Sequence, residues 1–249
     1  MIKLEHVVLA SPEQMEFIIE GMRNPLNSWN KSDSETKYES WHDMTGGQYV
    51  IGTNDHSLMQ RLSKAGTEHR KYLRMMPVYV RVTAPLYWWK EFSTYKVGTV
   101  VNSSSTMHKI HAKEFTLEDF STEHLMDFAE GYSEDDDLIV RMSVDSPKKV
   151  LLHTIEALNY YREMYLHTKT KPMKDESKRA ELTKKYWWQM IQLLPSSYNY
   201  IRNVMMNYEV LANIYRQRKN HKLNEWREFC KWVETLPYSE LITGEGKEG

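Results

Sequence analysis

The stretch PVYVRVTAPLYWWKEF, residues 77–92, constrains the fold more than any other part of the chain. Its first half alternates and is rich in β-branched side chains, so Val78, Val80 and Val82 fall on one side of an extended backbone, opposite Tyr79 and Arg81. That pattern predicts a strand over 77–84 with one face in a core. Pro85 then opens LYWWKEFSTYK, which predicts a helix running toward Gly98, because proline is tolerated in a first helical turn.

The rest of the chain supplies partners for that strand and helix. IKLEHVVLA predicts an opening strand, followed by a helix with Ser11 as N-cap, Pro12 in its first turn and Gln14 in capping-box position. Residues 24–46 are polar and predict a loop leading to a short strand at GQYVIG. Residues 55–65 predict a helix stopped by Gly66, and 67–75 a second short one. Thr116 caps a further helix, and SEDDD at 133–137 reads as an acidic loop facing solvent. Leu151, Ile155, Leu158, Arg162 and Tyr165 recur at helical spacing, as do Leu182, Tyr186, Met190 and Leu193, so two amphipathic helices flank a charged connection at 169–178. Pro195 ends the second, and SYNYIRNVMM predicts a strand. Helices over 208–219 and 222–236 and a frayed tail at 244–249 complete the chain. Without a regular βαβ rhythm, these elements imply an α+β fold: a mixed or antiparallel sheet flanked by helices, in one domain over 1–249.

Composition narrows the function classes. The net charge of −1 gives no global attraction to nucleic acid or anionic membrane. RQRKNHK and the two YWW runs at 87–89 and 186–188 would suit nucleic acid locally, and the balanced charge argues against that reading. A purely structural subunit is a further alternative. No run reaches the length of a membrane span and the N-terminus lacks the apolar core of a signal peptide, so a cytoplasmic protein is expected. Cys230, the single cysteine, excludes an internal disulfide and lies on a helix face with Trp226 and Val233, which predicts a core thiol. His108 and His111 would share a helical face but have no carboxylate placed beside them, so no metal site is expected. Glycine-rich phosphate loops are absent; NSSST at 102–106 is either a set of donors for a phosphate or an ordinary polar turn.

The last block, NYEVLANIYRQRKNHKLNEWR at 207–227, carries Asn207, Asn213 and Arg218 at helical intervals. Together with the strand-then-helix opening, APLYWWKEFSTYKVGTVVNSSSTMH and the turn Leu194-Pro195, it resembles the flavin-dependent thymidylate synthases. The family signature RHRxxSxNExSxR is degraded here: Thr94-Tyr95-Lys96 stands for Arg-His-Arg, and Lys90-Glu91 lies where the family often has Arg-Gln. The arginine before the Leu-Pro turn is replaced at or near Ile191, and of GHxSxxEH only Gly66 survives.

The resemblance implies methylation of deoxyuridylate to thymidylate, with FAD, reduced nicotinamide (NADPH) and methylene-tetrahydrofolate, in a homotetramer whose sites lie between subunits. It implies flavin against Lys96, Asn207 and Asn213, and a pyrimidine nucleotide held by Lys90, Glu91, Ser104, Ser105 and Arg218, with Arg218 as ring activator. Each lost charge-assisted contact removes roughly 1.5–3 kcal/mol, so three uncompensated losses would abolish the usual phosphate binding. Three readings follow: other cations such as Lys96, Arg81 or Lys109 compensate, the ligand is a different nucleotide or base, or the fold persists without the chemistry.

Overall fold

The computed structural model describes residues 1–38, 47–127, 145–172 and 174–244, so the acidic run at 133–137 and most of the tail lie outside the described residues. In chain order the strands are β1 (Lys3–Leu9), β2 (Glu35–Lys37), β3 (Gln48–Val50), β4 (Pro77–Pro85), β5 (Val100–Ser103) and β6 (Asn199–Asn207). The helices are α1 (Pro12–Arg23), α2 (Thr53–Ser63), α3 (Tyr72–Met75), α4 (Leu86–Phe92), α5 (Thr106–Lys109), α6 (Pro147–Thr170), α7 (Glu176–Leu193), α8 (Tyr208–Arg218), α9 (Asn224–Glu234) and α10 (Glu240–Thr243). The class is α+β, as the sequence predicts. Two compact, interleaved units divide it: a helical one (Met1, Ala84–Trp89, Ser104–Tyr200) and a sheet-bearing one (Ile2–Thr83, Lys90–Ser103, Ile201–Gly249).

In the sheet-bearing unit the strand order is β1-β4-β6-β5, with β1 antiparallel to β4 and β5 antiparallel to β6. The alternation in β4 works as expected: Val78, Val80 and Val82 are buried and Tyr79 and Arg81 are not. β1 is an edge strand whose register slips between Glu5 and Val8, where His6 has φ +51°, a bulge that makes the edge a poorer template for further pairing. The predicted capping box forms: Ser11 Oγ accepts from Gln14 N at 3.3 Å and Gln14 Oε1 accepts from Ser11 N at 2.9 Å. Ile18, Ile19 and Met22 of α1, Leu58 and Met59 of α2, Leu211 and Ile214 of α8, and Trp226, Phe229 and Val233 of α9 are all buried in this unit. Each contributes roughly 1.5–3 kcal/mol by leaving water.

The polar stretch expected as a loop is tied down by a buried charge. Asp55 in α2 meets Arg23 of α1 at 2.5 Å, and its other oxygen accepts from the Ser32 and Ser34 hydroxyls and the backbone N–H groups of Asp33 and Ser34. Burial opposes ionisation of Asp55, but the serine hydroxyls, Arg23 and the Asp33 N–H outweigh it and hold the carboxyl below its usual range.

In the helical unit α6 and α7 pair as the amphipathic patterns predict, started by Ser146 and Asp175, whose side chains accept from the N–H groups of Lys149 and Lys178. Leu151, Ile155, Leu158 and Met190 form a core with Ile110, Phe115 and Phe120. Asn159 of α6 imitates a strand partner: its amide makes two 2.8 Å bonds to the backbone of Phe115.

Three local expectations need correction. α4 stops at Phe92 instead of running toward Gly98, because the Ser93 and Thr94 hydroxyls take the carbonyls of Lys90 and Glu91 at 2.8 Å and compete with the helical ladder. Residues 100–103 form β5, which the sequence reading missed. The helix after Thr116 is only a single 3₁₀ turn, Leu117–Asp119, although its capping box with Asp119 is present.

Candidate functional site

Three of the expected site residues, Glu91, Asn213 and Arg218, belong to a cluster around the last turns of α8. Glu91 lies in the last turn of α4, and Tyr95 lies four residues on. Asn213, Gln217 and Arg218 come from α8, His221 from the turn that follows, and Trp226 from the first turn of α9. Phe92 stacks on Trp226 with ring centroids 6.3 Å apart and planes 20° from parallel, and Phe229 meets Trp226 edge-on at 5.8 Å. These rings form the dry side of the cluster.

Its polar side is a hydrogen-bond chain whose direction is chemically determined. Guanidinium and indole N–H groups only donate. Arg216 Nη2 therefore donates to Asn213 Oδ1 at 3.2 Å, and Gln217 Nε2 donates to the same oxygen at 2.9 Å. Gln217 Oε1 then accepts from the Tyr95 hydroxyl at 2.9 Å, and the Tyr95 oxygen accepts from Arg218 Nε at 2.8 Å. Arg218 Nη1 donates to Glu91 Oε2 at 3.0 Å, and Trp226 Nε1 donates to that same oxygen at 2.8 Å. His221 Nδ1 accepts from the N–H of Leu223, so the neutral ring carries its proton on Nε2, which points at Glu91 Oε2 from 3.5 Å.

The guanidinium of Arg218 also lies 4.9 Å from the centre of the Trp226 ring and 5.7 Å from that of Tyr95. Its side chain is 19 % exposed and that of Glu91 35 %. Nε and Nη1 are thus committed, while Nη2 has no partner among the described residues, and neither does Glu91 Oε1. The cluster therefore presents one donor edge and one acceptor atom, both held from behind.

The other expected residues are placed differently. Asn207 is buried as the N-cap of α8, its Oδ1 accepting from Val210 N at 2.9 Å. A helical rise of about 1.5 Å per residue sets it roughly 16 Å along the axis from Arg218. Its Nδ2 lies against Gly98, where φ is +74° and a Cβ would come within 3.0 Å of that nitrogen and of Val210 Cγ2, so glycine is required there on both counts. Asn213 does not touch Arg218 directly; Gln217 and Tyr95 connect them. Lys90 and Lys96 are exposed. Ser104 and Ser105 belong to the helical unit, where the Ser104 carbonyl accepts from the Tyr200 hydroxyl and Ser105 caps α5.

Sequence reasoning missed Gln217, His221 and Trp226 as members of the cluster. The sequence pattern alone places Trp226 on the core face of its helix with Cys230 and Val233. The one available signal was that Glu91, Tyr95, Arg218 and Trp226 each lie within a turn of a helix end. Cys230 is buried, and burial followed by the nearby Glu234 pushes its thiol up to about 12, which suits a core thiol. Among the described residues no three His, Cys, Asp or Glu side chains are grouped to hold a metal ion, and no helix is long and apolar enough to cross a membrane.

No protein-family model and no curated sequence matches the chain. The fold, however, is that of solved thymidylate synthases of the flavin-dependent kind. The structure of thymidylate synthase X from Helicobacter pylori with FAD and dUMP matches 98% of this chain and 97% of its own, at 16% identity and a TM-score of 0.57. A second structure of the Helicobacter pylori enzyme, complexed with FAD and dUMP, covers 98% of each chain at 16% identity and a TM-score of 0.55. The UMP/dUMP methylase PolB from Streptomyces cacaoi, bound with 5-Br dUMP, matches 99% of this chain and 95% of its own at 12% identity and a TM-score of 0.53.

Proposed function

We propose that this chain is a single-domain, flavin-dependent enzyme that modifies the ring of a uracil nucleotide, most simply the methylation of deoxyuridylate to thymidylate. The supporting observation is the Arg218 fork held by Glu91 and Tyr95, with Nη2 open, in a fold that solved dUMP-binding enzymes share over nearly the whole chain. A guanidinium fixed at two nitrogens aims the third at a ring carbonyl and stabilises negative charge as the ring is activated. Glu91 Oε1 accepts from the ring N–H. Lys90 offers a cation to the phosphate.

The residues fit a flavin at one well-defined point. Because Arg216 is donor-only, Asn213 must turn its oxygen toward Arg216 and Gln217, which leaves its NH₂ group to donate to a flavin carbonyl. Asn207 has its oxygen engaged in the cap and can offer only its NH₂, and Lys96 offers an ammonium to the cofactor's phosphates. Bound flavin would supply hydride, with NADPH as reductant and methylene-tetrahydrofolate as carbon source. Assembly into a homotetramer in the cytoplasm belongs to the same proposal. Tyr160, Trp188 and Leu193 stand exposed on α6 and α7 and support such an interface, and Ser104 and Ser105 would then serve the nucleotide of a neighbouring copy.

The test is tritium release from deoxyuridylate labelled at the reacting ring carbon, together with the visible spectrum of the purified protein. The expected result is a yellow protein that releases tritium. Arg218→Ala is expected to lower turnover about 10²–10³-fold or more while flavin stays bound. Colour without release would move the chemistry to another substrate. A second reading, a nucleotide-binding relative without turnover, is favoured by one observation: Glu91 supplies a negative charge that partly neutralises Arg218.

A further inference from the structure

The helical unit holds a second cluster of cations and rings that the proposed chemistry does not use. A cavity of about 660 Å³ lies among α5, α6 and α7. Sequence spacing builds its walls: Tyr165 and Lys169 are four apart on α6, and Arg179, Thr183 and Trp187 recur at intervals of four on α7, so each set forms one stripe. Lys184 and His108 complete the lining, which includes no aspartate or glutamate.

The rings are fixed in place. Trp187 Nε1 donates to the Met107 carbonyl at 2.9 Å, which ties the indole to α5, and Tyr165 packs against His111 with ring centroids 4.7 Å apart. Lys169 Nζ sits 5.5 Å from the centre of the Tyr165 ring. Arg179 is paired with Glu176, whose side chain is 72 % exposed, and donates to the Lys169 carbonyl at 3.2 Å. Lys184 and the His108 ring have no partner among the described residues. His111 independently reports the local field: burial, then Lys169, Lys109 and Arg162, depress its pKa, so it stays neutral beside the cavity with a buried Nδ1 that makes no hydrogen bond.

We infer that this cavity binds a nucleotide carrying more than one phosphate, with the phosphates among Lys169, Arg179, Lys184 and His108 and the base against Trp187 and Tyr165. An acid-free lining with several cations calls for a polyanion, and two fixed rings call for an aromatic group joined to it. The cavity's size falls within the range of small-ligand sites. Glu176 is the built-in competitor: being exposed, it exchanges readily for a phosphate on Arg179.

The experiment is competition against a fluorescent ATP analogue on the full chain, using ATP, inorganic triphosphate and adenosine. ATP is expected to compete best, triphosphate about tenfold less well, and adenosine hardly at all, with affinity falling as salt rises. Lys169→Gln combined with Lys184→Gln is expected to weaken binding at least tenfold, or about 1.4 kcal/mol. Glu176→Gln is expected to tighten binding several-fold, a gain that misfolding does not mimic. Adenosine competing as well as ATP, unchanged affinity in the double lysine variant, or no tightening in Glu176→Gln would each overturn the assignment. So would a single-stranded oligonucleotide that competes far better than ATP. Loss of binding in Arg218→Ala would also overturn it, since the analogue would then be reporting the Arg218 site.

Discussion

The α8–α9 cluster and the α6–α7 cavity are made of similar parts, cations beside tryptophan and tyrosine, yet they are organised in opposite ways. At the end of α8 the guanidinium is gripped by a carboxylate and a phenol, and the carboxylate is itself held by a buried indole. On α6 and α7 the ammonium groups sit on exposed, flexible stems. The first arrangement offers a direction, suited to recognising a planar edge. The second offers a field, suited to capturing charge with little demand on geometry.

The sharpest break in that contrast is expected at Trp226. Trp226→Ala removes a fully buried ring and the donor that holds Glu91, and should cost about 3–5 kcal/mol in urea unfolding. Trp187→Ala, at a half-buried ring, should cost distinctly less, and equal losses would remove the distinction between a packed cluster and an open one.

Charge burial gives the next test. Asp55→Ala strands Arg23 and should cost about 3–5 kcal/mol. Because the Asp55 carboxyl is depressed in the folded state, its contribution is complete above the ordinary aspartate value of about 4 and is lost as pH falls through the folded value. The urea midpoint of the wild-type chain should therefore drop on acidification below about pH 4, and that drop should be smaller in Asp55→Asn. Parallel curves would show that Asp55 is not the group responsible.

The smallest effect is expected at Glu91. Glu91→Ala removes the carboxylate that accepts from the Trp226 indole and from one arm of Arg218, for about 1–3 kcal/mol, whereas Glu91→Gln keeps an acceptor and should lose less. If Gln and Ala are equally destabilising, the charge of Glu91 matters and its role as an acceptor does not.

Legibility from sequence followed the range of the forces involved. The β4 alternation, the Ser11 capping box and the α6 and α7 stripes are local patterns, and each element formed where its residues predict. The end of α4 was misjudged because two hydroxyls compete for carbonyls, a contest that propensity does not capture. β5 was missed because its four residues acquire strand character only by pairing with β6.

The sequence by itself determined the fold class, the buried Cys230 and the placement of Asn213 and Arg218 on one helix, since periodicity and caps act within a few residues. Only the tertiary structure decided what those groups do. It brought Glu91 to Arg218 across 127 positions and Trp226 to Glu91 across 135, committed the oxygen of Asn207 to a cap, and set Lys169, Arg179 and Lys184 around one cavity. Hydrogen bonds of about 3 Å depend on where distant segments pack, and no local pattern encodes that distance.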